Sequence, residues 1–217
     1  MQNELFIKMK EAVIMGEPED AARLAEEAIA AGIHPLDALN NGFVPGMDVV
    51  GEQYNCGDLF LPELVLAAEA MKAAVAVLEP ELARTGSARQ VLGRVVIGTV
   101  AGDMHDIGKT LVATMLAANG FEVYDLGVNV PARAFIEKAR QVDATIIGMS
   151  ALLTTTMVQQ REFIHAFDDA GLRPHVKVMV GGAPVTRSWA SEIGADGYSP
   201  DAISAVAMAR QLVGMTE

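Results

Sequence analysis

The chain has 217 residues, 51% of them hydrophobic, which is enough for one large domain or two small ones with a true core. Acidic residues outnumber basic ones 28 to 16, and the net charge of -12 excludes the clustered Lys and Arg surface that nucleic acid requires. The single cysteine, Cys56, excludes an internal disulfide and any CxxC metal site, so a reducing cytoplasm is the expected compartment. The first residues, MQNELFIKMKE, are charged and amphipathic rather than a signal core. No apolar run approaches the roughly 20 residues of a membrane helix, and no membrane association is expected.

Residues 1–85 read as helix throughout. Leu5, Met9, Ala12 and Val13 share one face of a first helix, which Gly16-Glu17-Pro18 ends. Glu19–Ala31 predicts a second, with Ala22, Ala25, Ala28 and Ile29 on its apolar side and Gly32 as its stop. A third starts at Pro35 and runs through Leu36, Leu39, Phe43, Met47, Val50 and Tyr54; Pro45 falls inside it and predicts a kink or break. Asn55-Cys56-Gly57-Asp58 reads as a turn, and a fourth helix follows Phe60-Leu61-Pro62. Four short helices with tight links make a small bundle. The small, polar stretch Ala83–Gln90 is the expected linker, giving domains at 1–86 and 87–217.

From Val91 the pattern alternates. The predicted strands are Val91–Val100, Glu122–Leu126, Ala144–Met149, Lys177–Val180 and Gly197–Ser199. The predicted helices are Ile107–Asn119, Ala132–Gln141, Thr156–Ala170, Val185–Ile193 and Asp201–Val213. Five such βα units imply a parallel sheet covered on both faces, a flavodoxin-like doubly wound fold of strand order 2-1-3-4-5. The whole chain is then α plus α/β. The switch point lies between the first and third strands, where the loops Ala101–Gly108 and Ser150–Thr156 meet.

The first of these loops carries the chemistry. Gly108-Lys109-Thr110 imitates the end of a phosphate-binding loop, but the earlier glycine of that pattern would have to be residue 103, which is Asp103. Two aspartates would also repel phosphate. Asp103 and His105 lie two residues apart in a non-helical loop, so both side chains can point the same way. A carboxylate that accepts the imidazole Nδ1–H leaves Nε2 free for a metal. One histidine and one carboxylate do not hold a bare zinc ion, and a macrocycle would fill the other positions. Several plainer readings stand beside this one. Gly181-Gly182 can be a turn after a strand, and Ser150–Thr156 can be a helix cap. Phe60, Leu64, Ala67 and Met71 form one helical stripe, which is more often core than cofactor box. His34, His165 and His175 have no acidic partner at useful spacing and read as structural.

The ordered set Asp103-x-His105-x-x-Gly108, Ser150-x-Leu152 and Gly181-Gly182 resembles the cobalamin-binding domains of the methionine-synthase type. Gly46-Met47-Asp48, Gly51-Glu52, Phe60-Leu61-Pro62-Glu63 and Ala67-Ala68-Glu69-Ala70-Met71 are similar to the helical cap of the same proteins. The resemblance covers nearly the whole chain. It implies that His105 is the lower axial ligand of cobalt, that Asp103 bonds His105, and that Thr156 supplies the relay's hydroxyl, where methionine synthase has serine. The relay would let proton uptake accompany release of the histidine. Gly102, Met104, Asp106, Ile107 and Gly108 would lie against the cofactor. Ser150, Leu152, Thr154, Gly181, Gly182, Tyr198 and Ala202 would line the pocket of its displaced benzimidazole tail. Phe60, with Leu64 and Met71, would shield the methyl-bearing face.

With a cap and a cobalamin domain, and neither a pterin barrel nor a substrate domain, the chain resembles the free-standing corrinoid subunits of methylamine, methanol, betaine and aryl-ether demethylation systems. The implied role is a methyl-carrier subunit rather than a stand-alone enzyme. Methylcobalamin would be the intermediate, and a methylamine is the first choice of donor. Partners would be a substrate-specific methyltransferase, a second methyltransferase serving a thiol or folate acceptor, and a reductive activase. Two alternatives share the motif: a cobalamin-responsive sensor, and a subunit of a B12-dependent mutase, which would not carry this cap.

Overall fold

The computed structural model of the chain describes residues 2–84 and 91–215. The chain divides into two compact units, Met1–Gln90 and Val91–Glu217. Of the expected linker, Ala83 and Arg84 belong to a helix; residues 85–90, and with them the expected boundary at 86/87, lie outside the described residues.

The first unit is helical. Helix α1 (Gln2–Ile14) buries Leu5, Met9, Ala12 and Val13, the face its periodicity predicts. Helix α2 (Pro18–Ala30) buries Ala21, Leu24, Ala25 and Ala28, so its stripe is turned by one residue from the expected one and leaves Ala22 at the margin. The third helix is not continuous. It consists of α3 (Pro35–Ala38), a π-helical turn Leu39–Phe43, and α4 (Val44–Cys56). The wide turn immediately precedes Pro45, which has no N–H to give and whose ring would strike the preceding turn of a regular helix. Gly46 lets α4 lie close to α1, since a Cβ there would stand 2.8 Å from the Lys10 carbonyl. The expected turn at Asn55 begins two residues later, at Gly57, whose left-handed backbone ends α4. Helix α5 (Leu61–Arg84) has 24 residues, longer than the short helix expected, because Pro80 sits on its exposed side near the end and does not stop it.

The second unit is a five-stranded parallel sheet in the order β2-β1-β3-β4-β5, formed by β1 (Arg94–Thr99), β2 (Glu122–Asp125), β3 (Ile146–Ser150), β4 (Lys177–Gly181) and β5 (Gly197–Tyr198). Val95, Val96, Ile146, Ile147, Val178 and Val180 are essentially inaccessible, as a sheet buried on both faces demands. Helices α7 (Ala132–Gln141), α8 (Thr154–Asp169) and α9 (Arg187–Glu192) pack on one face, around the rings of Phe135, Phe163 and Phe167, whose centroids lie 5.9 to 6.4 Å apart. Helices α6 (Ile107–Ala118) and α10 (Ala202–Leu212) pack together, joined where Arg210 donates to Asn119 Oδ1. Among the described residues no helix is long and apolar enough to cross a membrane.

The sheet register decides what meets at its carboxyl edge. Thr99 pairs with Ser150, and Ser150 with Gly181. The loops after β1, β3 and β4 therefore leave the sheet side by side, with the β1/β3 switch point in the middle.

Candidate functional site

The site is built on Asp103. Gly102 turns the chain just beyond β1 with φ of 82°, and Asp103 then points inward, wholly buried. A carboxylate in that position needs partners for both oxygens. Oδ1 accepts from His105 Nδ1 at 2.8 Å and from the His105 backbone N–H at 3.1 Å. Oδ2 accepts from the Leu152 backbone N–H at 2.8 Å and from the Thr156 hydroxyl at 2.6 Å. Thr156 Oγ1 also lies 3.0 Å from the Leu153 carbonyl. Its one hydrogen goes to Asp103, because the shorter, charge-assisted bond is the stronger. Burial pushes the Asp103 carboxyl upward, but donation by Thr156, Leu152 and His105 together outweighs it and holds the group well below the usual carboxylate range.

An ionised carboxylate can only accept, so His105 Nδ1 must be the donor. The lone pair of the neutral ring is then on Nε2. The imidazole is about half exposed, 52% for the side chain, and Nε2 has no protein partner among the described residues. No group of three His, Cys, Asp or Glu side chains among those residues could hold a metal ion. The donor set therefore does not fit a bare ion. It fits a metal that arrives with most of its ligands already in place and needs one nitrogen from the protein.

The surroundings agree with a large, partly apolar ligand. Met104 and Ile107, on either side of His105, are exposed at 68% and 86%, and Leu152 and Leu153 in the facing loop are also exposed. Four large exposed apolar side chains on the two loops that meet at Asp103 are the kind of surface that calls for an occupant. At Gly108, in the first turn of α6, an added Cβ would meet nothing within 4 Å, so the space beside it is open. Asp106 is exposed at the start of α6 and makes no capping bond.

Lys109, which gives the loop its likeness to a phosphate-binding one, is buried and turned back into the fold. Its ammonium pairs with Asp125 at the end of β2, and Asp125 Oδ1 accepts from the Gly127 N–H at 2.8 Å.

The residues expected around the tail fall into two groups. Ser150 is half-buried at the end of β3, and Thr154 is exposed as the first residue of α8. Neither caps α8. Thr156 does, accepting the Leu153 N–H at 3.3 Å, because its hydroxyl is the one that reaches back over the first turn. Gly182 is required by the backbone itself, and Gly181 sits in a tight space. A Cβ on Gly182 would stand 1.8 Å from the Ala151 carbonyl oxygen at φ of 125°, and one on Gly181 would stand 3.2 Å from the Ser199 carbonyl. Close packing of the β3 and β4 ends thus accounts for Gly182. Tyr198 is half-buried against the sheet core, and Ala202 is buried at the start of α10, which Asp201 caps by accepting the Ser204 N–H at 2.7 Å. In the helical unit, Leu64 and Met71 are buried at 1% each and serve as core, whereas Phe60 is 70% exposed.

Three residues that no motif singles out hold the site together. Thr99, buried, donates its hydroxyl to the His105 carbonyl at 2.8 Å. Asn129 grips the Gly102–Asp103 segment from the neighbouring loop. Gln160, wholly buried, donates to the carbonyls of Met149 and Gly181 and accepts from the Trp189 indole, which ties the ends of β3 and β4 to α8 and α9.

Comparison with known proteins agrees with this geometry. A family model described as a B12 binding domain matches residues 93–207, and a second of the same description matches residues 5–79. Trimethylamine corrinoid protein 1 of Methanosarcina acetivorans is 48% identical over 212 residues, 98% of each chain. Dimethylamine corrinoid protein 2 of Methanosarcina mazei is 47% identical over 212 residues, again 98% of each chain. Among solved structures, a chain of the methanol:cobalamin methyltransferase complex of Methanosarcina barkeri superposes with a TM-score of 0.88 at 30% identity, covering 100% of this chain and 82% of that one.

Proposed function

The chain belongs to the family of corrinoid proteins with B12-binding domains, and from that premise we propose that it carries a methyl group on cobalt between two methyltransferases, with a methylamine as the donor class. The observation that carries the reading is the free Nε2 of His105, with its Nδ1 tied to a buried carboxylate. The methylamine preference rests on relatives named for trimethylamine and dimethylamine that are nearly half identical over the whole length. Among the partners we propose a substrate-specific methyltransferase, a second methyltransferase delivering to a thiol or folate, and a reductive activase, all in the cytoplasm.

The bound corrinoid supplies the cobalt centre that accepts and releases the methyl group; the protein binds, orients and tunes it. His105 would hold the cobalt through Nε2. Asp103 fixes the ring's tautomer and direction by keeping the proton on Nδ1, and Thr156 and the Leu152 N–H hold Asp103 in turn. Asp103 and Thr156 would form the relay that serves proton uptake at the His105 ring. Met104, Ile107, Leu152 and Leu153 would offer the bound corrinoid an apolar surface and exclude water beside His105. Ser150, Thr154, Gly108, Gly181, Gly182, Tyr198 and Ala202 remain the proposed surroundings of the tail. Ser150 and Thr154 are the members of that set with hydroxyls to offer it. Of the three helical-unit residues expected at the cofactor, the proposal keeps Phe60 alone. We also read residues 1–86 as the cap domain and 87–217 as the cobalamin-binding domain.

The test is reconstitution with cobalamin followed by a visible spectrum of the purified protein. A histidine-ligated, base-off spectrum supports the site; absence of binding removes it. The loaded protein is then incubated with mono-, di- and trimethylamine methyltransferases and their donors. Methylation with one of these supports the carrier role, whereas binding without methylation by any methyltransferase system identifies a sensor instead.

A further inference from the structure

Resting on the reading of His105 as axial ligand, we propose that Asn129 is a positioning residue for that ligand, holding the Gly102–His105 segment in the shape that presents Nε2. Asn129 lies in the loop after β2, 27 positions from Gly102 in sequence. Its side-chain Oδ1 accepts the Gly102 N–H at 2.8 Å, and its own N–H donates to the Asp103 carbonyl at 2.9 Å. The two bonds hold the peptide groups on either side of the Gly102–Asp103 peptide and so fix that peptide from both sides. That peptide determines where the Asp103 carboxylate starts, and the carboxylate determines where His105 points.

The grip depends on an unusual backbone. Asn129 has φ of 53°, in the left-handed region that asparagine and aspartate tolerate better than other residues with a Cβ. The loop around it is fastened to β1: Thr99 N–H donates to the Gly127 carbonyl at 3.0 Å, and Val130 N–H to the Thr99 carbonyl at 2.9 Å. Gly127 is held by Asp125, the partner of buried Lys109. Thr99 closes the circuit by donating to the His105 carbonyl. The ligand loop is thus braced from the β2 side by one exposed asparagine whose contacts serve no core packing. Its place in the structure points to positioning of the loop rather than to burial.

The test loads wild-type protein, Asn129→Ala, Asn129→Gly, Asn129→Asp and His105→Ala with cobalamin, reduces cobalt to the +2 state, and records electron paramagnetic resonance with isotope-labelled histidine. Nitrogen splitting that changes with the label reports histidine on cobalt. The expected result is that Asn129→Ala loses most of that splitting and binds cobalamin roughly ten- to hundredfold more weakly. Asn129→Asp keeps both, since it retains an acceptor and the backbone preference. A purely structural asparagine would lower the melting midpoint of the unloaded protein and leave the splitting intact. If the alanine variant does not fold, Asn129→Gly, which permits the backbone without the acceptor, answers the same question. Undiminished histidine splitting in the alanine or glycine variant overturns the proposal, as does an aspartate variant no better than alanine. Absence of histidine splitting in wild-type protein overturns the axial-ligand reading itself, and that outcome is recognised before any variant is compared.

Discussion

Asp103→Asn isolates what the buried carboxylate contributes. The amide keeps one accepting oxygen and converts the other into a donor. With the oxygen turned to His105, the amide nitrogen faces two donors, the Leu152 N–H at 2.8 Å and the Thr156 hydroxyl at 2.6 Å. Thr156 can adapt by rotating its hydrogen to the Leu153 carbonyl, 3.0 Å away. Leu152 cannot, and a buried donor without an acceptor costs about 1–3 kcal/mol. The bonds to His105 also fall from charge-assisted to neutral, on the order of another 1 kcal/mol. The expected loss of about 2–4 kcal/mol should lower the calorimetric melting midpoint of the unloaded second unit by about 10 °C. The sign with pH is fixed by the depressed Asp103 carboxyl. A group held low in the folded state contributes fully above the ordinary aspartate value of about 3.9, and that contribution fades as pH falls toward the folded value. The gap between wild type and variant should therefore be constant near neutrality and close on acidification below about pH 5. A variant that melts within about 2 °C of wild type at neutral pH would refute the four-bond account, as would a gap that widens in acid.

His105→Ala should leave the unloaded protein within about 1 kcal/mol of wild-type stability, because a half-exposed ring gives up a single side-chain bond, while the histidine signature on cobalt disappears; denaturant unfolding and the visible spectrum read the two effects separately. Asp125→Ala leaves the Lys109 ammonium buried without its partner and should destabilise the second unit by about 1–3 kcal/mol, less than a fully buried pair because Asp125 keeps 34% exposure. Lys109→Met, which removes the charge and keeps the volume, should be close to neutral by the same measurement, and equal losses in both variants would contradict the ion-pair assignment. Gly182→Ala places a Cβ into the Ala151 backbone at a left-handed φ and should cost about 3 kcal/mol or more, read as lost soluble yield or a lowered melting midpoint; a neutral result would mean that the β3 and β4 ends are not packed as described.

The fold was legible wherever burial imposes a pattern. Strands β1, β3 and β4 are short runs rich in branched apolar residues, and the parallel sheet follows from the alternation with helices. Where burial does not decide, the boundaries moved. The first strand was expected from Val91 but starts at Arg94, the first residue with a β2 partner, Glu122. Pairing across a sheet is a property of two distant segments, and one segment's composition does not carry it. In the helical unit, Pro45 predicts an interruption without its kind, because a π-helical turn and a clean break relieve the same missing N–H. Pro80 does not end its helix, since a proline on the exposed side of a packed helix removes one bond and disturbs no core contact.

The site divides along the same line. Asp103, His105 and Thr156 could be read because their chemistry resides in side chains at fixed spacing, on loops that the strand order brings together. Thr99, Asn129, Gln160 and the Leu152 amide could not, because one end of each of these bonds is a backbone N–H or carbonyl that every residue type possesses. The likeness to a phosphate loop shows what this difference means physically. A phosphate cradle needs its lysine and its amides facing outward, toward the ligand. Here Lys109 turns inward to Asp125 and Asp103 turns inward to four donors, so both charges are satisfied within the protein. The outward face is left with one imidazole nitrogen amid exposed Met104, Ile107, Leu152 and Leu153. Such a surface has little to offer an anion. It suits a broad, largely neutral ligand that needs a single donor nitrogen, and that nitrogen is available because Asp103 accepts the Nδ1–H.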